Sequence, residues 1–252
     1  MIIEIFGPPA VGKTTFARRL ADQLNQRGRP ARLILSHRPA EIIRPGHGPA
    51  RPVPLAAMRR LARPACEFLA RVGRRNEWGG TSIAAELLEL LPPTNLLWSV
   101  RLRQYLRRLE GSWRDAAQSN AIVIIDQGFV QAVCSLLLLG GPPATGAVEK
   151  ALALIPKPDQ WIHIGAPPPV LRTRLEARHR AQTWMERRLE LSAETSLRSG
   201  DIFARLIPIL RQQSTPIACL GSGESWLPSD WPAVGESRIA IAGPTDGRMP
   251  AW

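Results

Sequence analysis

The sequence predicts an α/β protein with a parallel β-sheet covered by helices on both faces. Short, nearly uninterrupted apolar runs recur along the chain, as expected of strands buried on both sides. Segments with helical periodicity separate them, and glycine or proline marks most of the junctions. Strand and helix alternating in this way implies parallel strands joined by helical crossovers. The 252 residues, 44% of them hydrophobic, suffice for a packed core of this kind.

The first strand, Ile2–Phe6, ends at Gly7. A helix follows from Thr14, with Phe16, Ala17, Leu20, Ala21 and Leu24 at helical spacing and a stop at Gly28 and Pro30. Residues 31–36 (ARLILS) form a second strand, and 37–54, rich in Pro, Gly and Arg, an irregular loop. Helices are expected over 55–74, 81–91 and 95–118, separated by the glycine pair of NEWGG and by Pro92 and Pro93. Residues 121–126 (AIVIID) are the clearest strand, branched apolar residues in succession ending in a carboxylate. Segments 127–139 and 145–155 read as helices, 159–165 (DQWIHIG) as the fourth strand, and 167–191 as a long arginine-rich helix entered through proline. A helix over 201–212 and a strand over 216–220 bring the strands to five. After Gly221 the composition shifts to Gly, Ser, Pro and Trp without periodicity, so 223–252 is expected to be a poorly structured tail.

The formal charge is +12, carried almost entirely by arginine, because Lys13, Lys150 and Lys157 are the only lysines. The arginine excess reads either as a GC-rich coding bias or as an electropositive surface that gathers anionic ligands such as nucleotides or nucleic acid. Cys66, Cys134 and Cys219 are scattered and lack C-x-x-C spacing, which opposes a disulfide framework or a zinc site and suggests buried thiols. The longest apolar stretch, 132–139, is far short of the roughly 20 residues that span a bilayer, so no membrane partner is expected. The opening MIIEIF has no basic leader, and a cytoplasmic protein is expected. A homodimer is compatible with all of this.

Residues 7–14, Gly-Pro-Pro-Ala-Val-Gly-Lys-Thr, match G-x-x-x-x-G-K-[ST] between an expected strand and an expected helix. In that setting the backbone curls around a phosphate with its N–H groups inward, at a helix N-terminus whose partial positive charge adds to the attraction. Donors are expected from Val11 to Thr15, so the missing amides of Pro8 and Pro9 cost nothing. Gly7, Val11, Gly12, Lys13, Thr14 and Thr15 form the candidate nucleotide-binding set. Lys13 would bridge the β- and γ-phosphates of ATP, and Thr14 would coordinate Mg²⁺.

Asp126 closes its strand where open α/β sheets place their ligands. Its carboxylate is suited to share the Mg²⁺ with Thr14 or to accept a proton from an attacking hydroxyl; the competing role is an N-cap for the next helix. On the arginine-rich helix, Arg174 and Arg178 are four apart and share a face, while Leu171 and Leu175 mark the apolar side. Arginines closing over a metaphosphate-like transition state neutralise its spread charge, which makes these two candidate catalytic residues with Lys13 and Asp126. Arg101 and Gln104 precede Asp126 on a helix and can reach the same pocket. Together with His37, Arg38 and Gln127 they form the candidate acceptor-binding set.

These stretches resemble the nucleoside and nucleotide kinase branch of P-loop proteins, the thymidylate-kinase-like group in particular. The resemblance runs over about residues 1–222, in the order FGPPAVGKTTFARRL, an insertion containing LLWSVRLRQYL, IVIIDQG, and PDQWIHIGAPPPVLRTRLEAR. It implies a three-layer P-loop NTPase fold with a five-stranded parallel sheet, a helical substrate-binding insertion over 37–120 and an arginine-rich lid over 167–200. It also implies ATP, Mg²⁺ and transfer of the γ-phosphoryl group to a nucleoside monophosphate, nucleoside or similar small acceptor. Two departures stand out. Gln127 follows the third-strand aspartate where thymidylate kinases commonly carry arginine, and SHRPAEIIRPG replaces their arginine-acid-proline-glycine-glycine stretch. The alternatives are a nucleotide-dependent ATPase or switch acting on nucleic acid or a protein partner, and a kinase-like protein that binds nucleotide without turnover.

Overall fold

The computed structural model describes residues 1–35, 82–181 and 192–222. The expected loop and helix over 37–74, with His37 and Arg38, lie outside these residues, as do the end of the arginine-rich segment and the tail from 223. Five strands form one parallel sheet: β1 (Ile2–Phe6), β2 (Ala31–Ile34), β3 (Ile122–Asp126), β4 (Gln160–Gly165) and β5 (Ile217–Gly221), in the order β2-β3-β1-β4-β5. Every residue of β1 and β3 is buried, which is why both read as continuous apolar runs. β2 and β5 are the edges and carry exposed positions, among them Arg32 and Cys219. Cys219 is therefore not the buried thiol expected; Cys134, fully buried, is.

Seven helices are described: α1 (Lys13–Gln26), α2 (Ile83–Leu90), α3 (Leu96–Ala117), α4 (Phe129–Leu139), α5 (Ala147–Leu154), α6 (Pro168–Ala181) and α7 (Ala193–Arg211). α1 lays Ala17, Leu20 and Leu24 on Ile3, Ile5, Ile124 and Ile162, and Leu171 of α6 joins the same cluster. The opposite face receives α2 to α5 and α7, with Leu87, Leu106, Phe129, Leu152 and Phe203 packed with Phe6 and Trp161. Full burial of each large side chain of this kind contributes roughly 1.5–3 kcal/mol.

Asn95 caps α3, its side chain accepting the Leu97 N–H at 2.8 Å. The last helix departs most from expectation, beginning at Ala193 instead of 201. Ser192 caps it through the Thr195 N–H at 3.1 Å, and it runs through Gly200 and Pro208. Both residues weaken a helix intrinsically, but Ser196, Ser199, Phe203 and Leu206 are buried along it, so packing overrides the local signal.

The order of the strands creates the site. β1 leads into α1 on one face, and its neighbour β3 leads into α4 on the other. Chains that leave adjacent strands toward opposite faces open a crevice at the carboxyl ends of those strands. The register pairs Ile5 with Asp126, so Gly7 and Asp126 both arrive at this crevice.

Candidate functional site

The glycine loop leaves β1 in a conformation that only its sequence permits. Gly7 has φ 151°, and a Cβ there would lie 2.2 Å from the carbonyl oxygen of Ile164 on β4. Gly12, the N-cap of α1, has φ 104° and Ala10 φ 62°. No side chain caps α1 and no acidic residue occupies its first turn. Its leading amides therefore keep their partial positive charge for an outside acceptor. One expected donor differs: the Val11 N–H turns back to the Pro8 carbonyl at 3.4 Å and is engaged within the loop.

Lys13 folds over this loop. It is 6% exposed, and its Nζ donates to the carbonyls of Gly7 at 2.8 Å and Pro8 at 2.7 Å. These are neutral acceptors, exchangeable for a more strongly attracting phosphate oxygen. Beside it the Thr14 hydroxyl donates to Asp126 Oδ2 at 2.6 Å. Asp126 is not the N-cap of the following helix: Gly128 stands there, and Gln127 turns with φ 68° so that the helix starts at Phe129 rather than 127. Thr15 is exposed on the outer side of the first turn.

No protein-family model matches the chain, and no curated protein matches it. The functional reading rests on this geometry.

From the other side, α6 brings the Nη1 of Arg174 to the Val11 carbonyl at 3.1 Å, so an expected catalytic arginine does reach the loop. Arg178, one turn further, is half-buried. From α3, the Tyr105 hydroxyl donates to the Gln127 carbonyl, while the Gln127 N–H is held by the Ile5 carbonyl at 3.1 Å. Tyr105 is the chain's single tyrosine and was missed by sequence reasoning; its place four residues after Arg101 was the available signal. Arg101 lies over the Trp98 ring, 4.7 Å from its centroid, and burial lowers its pKa. Arg101, Gln104 and Tyr105 thus line one stretch of α3 leading to the Asp126 turn.

Beneath the loop, on the face covered by α4 and α7, lies a set of buried polar groups that the motif does not announce. Glu4 is fully buried and its pKa is pushed up to about 8, chiefly by burial. The Val130 N–H and the Trp161 indole offset part of that shift, although the indole closes no hydrogen bond of ordinary geometry. His163, packed against Phe6 and Phe203 at ring distances of 5.3 and 5.9 Å, is pushed down to about 4, by burial first and then by the Lys13 and Arg211 charges.

Uncapped amides, an ammonium and a guanidinium around one loop fit a polyanion. The hydroxyl and carboxylate of Thr14 and Asp126 are hard oxygen donors that fit a Mg²⁺ completing its shell with water and phosphate oxygens. Among the described residues no cluster of three His, Cys, Asp or Glu forms a cage for a metal. None has a helix long and apolar enough to cross a membrane. A groove of about 510 Å³ between α2 and α5, lined by Glu86, Glu89 and Lys150, contains none of the candidate residues.

Proposed function

We propose that this chain is a P-loop phosphotransferase of the nucleotide or nucleoside kinase type, moving the γ-phosphoryl group of ATP to a nucleoside monophosphate, nucleoside or similar small acceptor. The observation that carries the reading is the 2.6 Å contact of Thr14 with Asp126 immediately beside Lys13. A glycine turn serving only to start a helix has no need of a buried lysine or of a carboxylate from another strand at its first hydroxyl.

In this reading the first-turn amides of α1 cradle the β-phosphate, and Lys13 exchanges the Gly7 and Pro8 carbonyls for β- and γ-oxygens. Thr14 and Asp126 hold Mg²⁺, which when bound neutralises charge on the phosphate oxygens. Arg174 and Arg178 close from α6 as a lid and stabilise the transferring group. Asp126 also stands where it can take the proton of the attacking hydroxyl. Arg101, Gln104 and Gln127 face the acceptor, with Tyr105 fixing the Gln127 backbone; His37 and Arg38 belong to the same proposed set. Purified protein incubated with labelled ATP, Mg²⁺ and a panel of nucleosides and monophosphates should yield a phosphorylated acceptor. Absence of product across the panel, with protein that melts cooperatively, would overturn the assignment.

A second reading, a nucleotide-driven ATPase acting on nucleic acid, draws on one asymmetry. α1 and its following turn and strand carry Arg18, Arg19, Arg27, Arg29 and Arg32 against Asp22, and α6 adds four arginines against Glu176. Phosphate contacts from such a face release counterions, so binding would weaken steeply with salt. A flat salt response removes this reading.

A further inference from the structure

Two buried polar side chains lie below the crevice and take no part in the chemistry assigned above. Glu4 sits in the middle of β1, and its Oε1 accepts the Val130 N–H at 2.7 Å. Gly128 makes the room: a Cβ there would stand 2.5 Å from Glu4 Cδ and 2.7 Å from Oε1. Val130 is in the first turn of α4, whose own N-cap, Gly128, offers no side-chain acceptor. The carboxyl of a neighbouring strand thus satisfies an amide that an N-cap residue ordinarily would. The next residue, Gln131, is 8% exposed, and its Oε1 accepts the Gly7 N–H at 3.3 Å across a separation of 124 residues.

These two bonds grip opposite walls of one site. Gly7 opens the glycine loop and gives Lys13 one of its resting acceptors. Gly128 and Val130 follow within four residues of Asp126. When Lys13 turns to a phosphate, the Gly7 and Pro8 carbonyls lose its ammonium, and Gly7 has no Cβ to restrict its own rotation. The Gln131 carboxamide is then the side-chain contact that keeps the loop's first peptide in place.

We propose that Gln131 and Glu4 are positioning residues: through the first turn of α4 they fix the glycine loop relative to the Asp126 carboxylate, touching neither nucleotide nor acceptor. The kinetic part of this role rests on the phosphotransferase reading; the mechanical part does not.

The test uses the full chain and two readouts. In hydrogen exchange without nucleotide, Gln131→Leu should speed exchange of backbone amides over the loop by about tenfold, equivalent to roughly 1.4 kcal/mol, and leave β5 unchanged. Glu4→Leu should do the same for the start of α4, and Glu4→Gln, which keeps the acceptor oxygen, should restore most of the protection. In turnover with ATP and Mg²⁺, Gln131→Leu should lower kcat about tenfold with KM for ATP moved less. If Gln131→Leu does not fold, Gln131→Met, of similar length, replaces it in both readouts. Loop exchange equal to that of the unaltered chain overturns the proposal, and faster exchange with unaltered kcat overturns its kinetic part. An unaltered chain that phosphorylates nothing overturns the phosphotransferase reading instead, and exchange alone then decides whether these side chains hold the loop.

Discussion

Thr14 Oγ1 and Asp126 Oδ2 meet at 2.6 Å although 112 residues separate them in sequence. The parallel register that pairs Ile5 with Asp126 brings them together, and a one-residue slip of β3 would send the carboxylate to the other face of the sheet. If the pair holds Mg²⁺, Asp126→Asn should weaken binding of ATP with Mg²⁺ by tenfold or more, a loss of roughly 1.4 kcal/mol, while ADP without metal binds as before. Calorimetry with and without Mg²⁺ reads the difference; equal losses in both conditions would remove Asp126 from the metal shell.

Lys13→Ala removes the ammonium from two loop carbonyls at rest and, in the proposed reaction, from the transferring phosphate. Turnover should fall by about 10²–10³-fold or more, the scale for losing one preorganised charge-stabilising donor. The fold should persist with a lowered melting temperature, because Gly7 and Pro8 are buried and their carbonyls lose the ammonium that satisfies them. Unchanged turnover would exclude Lys13 from the mechanism.

Arg174 and Arg180 are both exposed, but Arg174 contacts the loop through a backbone carbonyl at 3.1 Å, whereas among the described residues Arg180 donates to the Glu176 carbonyl of its own helix. Arg174→Ala should therefore lower kcat by about 10²-fold, as for other donors aimed at developing charge, with Arg180→Ala serving as the comparison. Steady-state kinetics on both variants decides; equal effects would mean that charge on α6 acts only collectively.

Gly7→Ala should be the most destabilising single substitution in the loop. Its Cβ would fall 2.2 Å from the Ile164 carbonyl oxygen, a backbone atom that moves only with β4. At Gly12 no atom lies within 4 Å of an added Cβ, and the cost is the φ of 104° alone. Overpacking costs about 1–3 kcal/mol on top of backbone strain of similar size, so Gly7→Ala should lose more in a denaturant melt than Gly12→Ala. The reverse order would contradict the packing of the loop on β4.

Glu4 and His163 give stability a definite dependence on pH. The folded state holds the Glu4 proton up to about pH 8 against 4.5 for an ordinary glutamate carboxyl, so its contribution is complete below 4.5 and is lost as pH rises through 8. His163 is held neutral down to about 4 against 6.5, so its contribution is complete above 6.5 and is lost as pH falls through 4. Between 4.5 and 6.5 the two trends oppose each other; from 6.5 to 8 only the Glu4 loss remains, with a limiting slope of about 1.4 kcal/mol per pH unit. Denaturant melts from pH 5 to 9 should show this fall, and Glu4→Gln should flatten it above 6.5. A fall that persists unchanged in Glu4→Gln would assign it to other groups.

Much of this architecture was legible from local pattern. Unbroken apolar runs marked β1, β3 and β4, because strands buried on both faces have no polar side to show. The glycine and lysine spacing of residues 7–14 marked the loop, since a chain that must curl with φ values of 151° and 104° needs glycine at those points. Arg174 was reachable by helical spacing alone. The start of α7 was not, because Gly200 reads locally as a break and only burial of Ser196, Ser199 and Phe203 carries the helix through it.

The sequence by itself determined the order of the described strands and helices and the point at which the glycine loop leaves β1, because these depend on residues a few positions apart. Tertiary structure alone decided that Thr14 rather than α4 receives Asp126, that Tyr105 holds the Gln127 turn, and that Glu4 and Gln131 brace the loop from below. Each of those is a contact between distant segments, created by strand order and register, and a polar residue inside an apolar run gives no sign of its partner until the sheet is assembled.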